Sequence, residues 1–86
     1  MSKHDQVLAQ VLNGTSDANV AFHDLRQLML WLGFVERIHG DHHIFTKEGI
    51  VDIINLQPKG AKAKPYQVKQ VRGLIVRYKL GGPSLD

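Results

Sequence analysis

Two connections in the middle of this chain are too short to leave much choice of fold. Between residues 34 and 56 three runs of strand-like sequence are separated only by Gly40-Asp41 and by Lys47-Glu48-Gly49. Parallel strands need a crossover of about a dozen residues or more, so strands joined this tightly turn straight back. The spacing predicts an antiparallel meander with strands over 34–39, 42–47 and 50–56, the last rich in β-branched residues. The first turn leaves two registers open. With a two-residue loop His39 faces His42; with three loop residues Ile38 pairs with His42, and such a slip exchanges the sheet faces.

Helical patterns flank the meander. Over residues 2–12, Ser2 can cap with Asp5 three residues on, and Val7, Leu8, Val11 and Leu12 recur on one narrow face before Asn13-Gly14. So short a helix is marginal alone in water, so it docks on the core or on a partner. The polar run 13–19 is a connector. From Ala21 to Leu32 the stripe Phe22, Leu25, Leu28, Met29 and Leu32 predicts a second helix, ended by Gly33, with Trp31 at the stripe's edge. After a lysine-bearing loop over 57–64, Pro65 opens a third helix running to Leu80, with Val68, Val71, Leu74, Ile75 and Tyr78 as its buried stripe. The predicted fold is α+β, an α-β-β-β-α sandwich of one helix layer on a three-stranded antiparallel sheet, with an additional N-terminal helix. The whole chain, 1–86, reads as one domain: the extra helix over 2–13, a core over 21–80 and a loose tail over 81–86.

Composition narrows the chemistry. There is no cysteine, hence no disulfide framework, no Cys-based zinc site and no thiol nucleophile. No apolar run approaches the roughly 20 residues of a membrane span, and the N-terminus lacks the apolar region of a signal peptide, which together suggest a cytoplasmic protein. The net charge is only +3, but its distribution is uneven. After Asn55 the cations Lys59, Lys62, Lys64, Lys69, Arg72, Arg77 and Lys79 face only Asp86. A basic C-terminal third suits a polyanion, most simply nucleic acid. Lys59, Lys62 and Lys64 also precede a helix start, whose free N–H groups and dipole favour a phosphate. A solvated loop accounts for the same residues equally well.

Histidines 39, 42 and 43 cluster at the first turn. A metal site needs several convergent ligands, yet His42 and His43 are neighbours on a strand and point to opposite faces. At most two of the three converge, even with Asp41 nearby, so no metal and no cofactor is expected. Serines stand only at 2, 16 and 84, in termini or a connector, which argues against a nucleophilic triad. General acid–base work on RNA asks for less: the ribose 2′-OH is the nucleophile, one imidazole takes its proton and Lys or Arg stabilises phosphorane charge. Capping of the hairpin by His42 or His43 is the plainer alternative.

The combination Phe22-x-x-Leu25-x-x-Leu28, Gly33-Phe34, Gly40-Asp41-His42-His43-Ile44-Phe45, then Pro58 and a terminal helix resembles the HicA toxins of bacterial toxin–antitoxin pairs, also called the YcfA-like family. The match spans about residues 22 to 80. The resemblance implies a double-stranded-RNA-binding-like fold and a metal-independent endoribonuclease that cleaves mRNA and arrests translation. It also implies a HicB-type antitoxin covering the active surface. Its catalytic histidine corresponds to His42, with Asp41 and His39 as possible assistants and Lys59, Lys62, Lys64, Lys69 and Arg72 as RNA contacts. Asp41 stands where the family usually carries Ser; a carboxylate there stabilises imidazolium and repels phosphate. The N-terminal helix and the long lysine loop are further departures. A non-catalytic double-stranded-RNA-binding module on the same fold is the alternative reading.

Overall fold

The computed structural model describes residues 2–81; of the expected loose tail, 82–86 lie outside the described residues. The chain order is α1 (Lys3–Asn13), a single 3₁₀ turn (Asp17–Asn19), α2 (Phe22–Trp31), β1 (Val35–His39), β2 (His42–Lys47), β3 (Ile50–Leu56), β4 (Pro58–Lys59), β5 (Lys62–Ala63) and α3 (Pro65–Tyr78). The α+β class and the three-stranded antiparallel meander follow the sequence expectation, with strand order β1-β2-β3.

Register is settled by the first turn. His39 lies opposite His42, so the loop is the two residues Gly40-Asp41. Gly40 at φ 63° takes the first loop position, where a type II′ hairpin requires glycine. The pairings Glu36↔Phe45 and Phe45↔Ile54 then place Phe45, Ile54 and Leu56 on the helix-facing side, all of them buried. Val35, Arg37, Ile53 and Asn55 alternate onto the opposite side, which no helix covers.

The N-terminal helix is part of the core rather than an appendage. Ser2 and Asp5 form the reciprocal capping box. Val7, Leu8 and Val11 are buried in one cluster with Leu25, Leu28, Phe45 and Leu74. That face is consumed inside the chain, which removes it as a partner surface. Trp31 packs its ring against His4 at a centroid distance of 5.4 Å, covering the α1–α2 edge.

Two expectations are corrected. The segment 57–64 is a small hairpin, not an open loop. Pro58 pairs with Ala63 and Lys59 with Lys62, and the backbone continues onto the start of α2: Ala63 N–H donates to Val20 O at 2.9 Å and Phe22 N–H to Ala61 O at 3.0 Å. Its partner strand segment is some 40 residues away, so local pattern carried no sign of it. The third helix also stops at Tyr78, before the glycines. Lys79 takes the left-handed conformation at φ 53°. Leu80 N–H then reaches back to Ile75 O at 3.0 Å, and its side chain joins the core margin, a closure of the kind glycine usually makes.

Candidate functional site

The end of β3, the first turn and the start of α3 meet at His42. The α3 helix is tied along β3 at both ends. Buried Gln67 donates through Nε2 to Asn55 O at 3.2 Å and accepts from Gln57 N–H at 3.1 Å. At the far end Arg77 and Tyr78 both donate to Asp52, at 2.7 and 3.0 Å. The N-terminal turn of α3 is thereby held against the last residues of β3 and the mouth of β2.

His42 projects onto the open face, with its side chain 48% exposed. Its Nδ1 lies 3.3 Å from Asn55 Oδ1. This contact orients the ring and turns Nε2 away from Asn55. Nε2 stands 3.8 Å from Asp41 Oδ1. Gln57 donates to the other Asp41 oxygen at 2.9 Å, and Lys64 donates through Nζ to Gln57 Oε1 at 2.9 Å. The Gln57 hydrogen bond, helped by a backbone hydrogen bond and the charge of Lys64, holds the Asp41 carboxyl below the usual range. Asp41 is therefore a fixed negative charge beside Nε2, suited to an imidazolium once Nε2 takes up a proton. His42, Asn55, Gln57, Tyr66 and Gln67 line a shallow cavity of about 210 Å³.

The other expected site residues fall in three places. His39 is exposed and lies directly across the hairpin from His42, on the same face. Lys59 and Lys62 are exposed cross-strand partners on the β4–β5 hairpin, and Lys64 joins the His42 network through Gln57. Lys69 is exposed on α3.

Arg72 is elsewhere occupied. It grips Asp17 with two hydrogen bonds, at 2.9 and 3.1 Å, and donates to Val11 O at 3.0 Å. It thus caps the C-terminal turn of α1, which has no basic residue of its own. Arg72 holds the Asp17 carboxyl below its ordinary value, chiefly through these hydrogen bonds. Replacing Arg72 with Ala is expected to lower the thermal midpoint, whereas Lys59→Ala, at an exposed residue, should leave it nearly unchanged. Thermal melts of both variants check this, and a drop at Arg72 no larger than at Lys59 would reject the assignment.

His43 faces the core. Its Nδ1 lies 2.8 Å from Glu36 Oε2, and its ring meets Phe22 edge-on at 4.9 Å. Arg26 pairs with both Glu36 oxygens, with Nη2 at 2.7 Å from Oε1. The Glu36 side chain is only 9% exposed, and its carboxyl is held below the ordinary glutamate value, first by Arg26 and secondarily by His43. A carboxylate lowered on folding contributes stability that is full above its unfolded pKa and is lost as pH falls through its folded pKa. Glu36→Gln should therefore cost on the order of 2 kcal/mol at pH 7. The gap to wild type should narrow as urea midpoints are taken from pH 7 towards pH 3; a pH-independent gap would contradict it.

Asn55, Gln57, Tyr66 and Gln67 were missed as site residues in the sequence. A period-two reading of the end of β3 does set Asn55 and Gln57 on one face and Leu56 on the other, but only the tertiary contact with α3 makes that face a site. Among the described residues no group of three or more His, Asp or Glu is placed to hold a metal ion. No helix there is long and apolar enough to cross a membrane. No family model, no curated protein and no solved structure matches the chain.

Proposed function

We propose that this chain is a HicA-like toxin: a metal-independent endoribonuclease that cleaves mRNA and inhibits translation, with a double-stranded-RNA-binding-like fold and His42 as its general base. The observation that carries the reading is the contact of His42 Nδ1 with Asn55, which orients an exposed imidazole with Nε2 beside Asp41 and the Gln57–Lys64 pair. In the reaction, Nε2 takes the proton of a ribose 2′-OH as that oxygen attacks the adjacent phosphorus. The P–O5′ bond breaks, the 5′-oxygen leaves with a proton from water, and a 2′,3′-cyclic phosphate remains. Asp41 stabilises the imidazolium formed, while Lys64, with Lys59 and Lys62 on the neighbouring hairpin, offsets phosphorane charge. Lys69 extends the cationic surface along α3. His39 completes the rim across the hairpin. A HicB-type antitoxin is the partner this reading requires.

The test is incubation of purified protein with RNA in excess EDTA. Fragments ending in 2′,3′-cyclic phosphate are expected; intact RNA would refute the proposal. Asp41 supports one other reading. A fixed carboxylate at the mouth of the site keeps a scissile phosphate from His42, while exposed Lys59, Lys62 and Lys69 stay open to a duplex backbone, which suits a double-stranded-RNA-binding module without catalysis. That reading predicts salt-sensitive duplex binding with no cleavage.

A further inference from the structure

We propose that Tyr66 is the stacking wall of a subsite for one unpaired nucleobase next to His42, so that the RNA engaged here is single-stranded. The inference rests on the ribonuclease reading of His42 and adds its substrate class. Tyr66 sits in the first turn of α3 and is 62% exposed, whereas the three phenylalanines are buried. Its ring is not loose. The hydroxyl accepts from Gln67 Nε2 at 3.5 Å, and Gln67 is itself 4% exposed and pinned to β3. An exposed aromatic ring anchored to the core through its polar end is pre-ordered for stacking, and base–aromatic stacking is how proteins commonly hold unpaired bases.

The dimensions and polarity of the cavity agree. At about 210 Å³ it is smaller than the roughly 300–1,000 Å³ of sites that enclose a whole small molecule, so it suits one unit of a longer ligand. Both ends of the Gln57 amide are engaged, by Asp41 and Lys64, which makes it a fixed wall. Asn55 uses Oδ1 for His42, and its Nδ2 makes no hydrogen bond among the described residues, leaving a donor for a base edge. A base in a duplex is stacked on both faces and paired along its Watson–Crick edge, so it can offer neither a face to Tyr66 nor that edge to Asn55. A base seated between them brings its own ribose 2′-OH towards His42, on the shared lining.

Binding of an end-labelled, non-cleavable 2′-O-methyl oligoribonucleotide, measured by fluorescence anisotropy, tests the subsite apart from catalysis. Wild type should bind the single strand more tightly than the same strand annealed to its complement. Tyr66→Ala should weaken single-strand binding about ten-fold, Tyr66→Phe, which keeps the ring but not its hydroxyl contact, should weaken it less, and duplex binding should be unchanged in both. Far-UV circular dichroism and urea midpoints verify that the variants are folded. Equal single-strand affinity for Tyr66→Ala and wild type, or a wild-type preference for duplex, overturns the subsite and leaves cleavage by His42 standing. Failure of wild type to bind either probe, together with intact RNA in the cleavage assay, overturns both.

Discussion

His42→Ala should reduce RNA cleavage by about 10²–10⁴-fold, the contribution typical of a positioned general base, with no change of fold. Its side chain is 48% exposed, and its one side-chain hydrogen bond, to Asn55, is made at the surface. Little stability is therefore lost on truncation. His43 cannot substitute, since it is turned to the other face and held by Glu36. His39, exposed across the hairpin on the same face, is the imidazole that remains at the rim. Induced in cells, wild type should arrest growth and His42→Ala should not. On the proposed reading, the purified variant should bind RNA with near wild-type affinity, because Lys59, Lys62 and Lys64 remain. Equal cleavage by the two proteins would remove His42 from the mechanism and return it to a hairpin cap.

Phe45→Ala should have the largest effect on stability. Phe45 is fully buried at the centre of the middle strand, flanked by Glu36 and Ile54 and facing the helices. Truncating a buried phenylalanine costs about 3–5 kcal/mol through lost transfer energy and the cavity left behind. A domain of this size sits near the low end of the 5–15 kcal/mol range of native stabilities, so that loss consumes most of it. Urea unfolding followed by circular dichroism should show a variant largely unfolded or melting at much lower denaturant. Val51→Ala is the control, since Val51 is 89% exposed on β3 and its truncation should stay within about 0.5 kcal/mol. Similar midpoints for the two variants would mean that the sheet does not depend on its central aromatic.

Much of this architecture is legible in the sequence, for local reasons. Gly40 and Gly49 allow only tight reversals, so the meander followed from spacing. Ser2 with Asp5, and Pro65 at a helix start, are self-contained signals that act within one turn. The stripes on α2 and α3 named most of the core correctly. Long-range pairing was not legible. The β4–β5 hairpin exists because the backbone at Val20–Phe22 offers it an edge, and Arg72 looks like a phosphate ligand until Asp17 and the end of α1 are seen to occupy it.

Three short strands joined this tightly must pair antiparallel, and His42 and His43 must face opposite ways, because short loops cannot cross over and side chains alternate along a strand. Tertiary structure alone decided which face each took, and with it which histidine meets solvent. The two-residue turn sends His43 into the Glu36–Arg26 pair and His42 towards Asn55, Asp41 and Tyr66. Those partners arrive from β3, the turn and α3, groups far apart in the chain that are brought together only by packing.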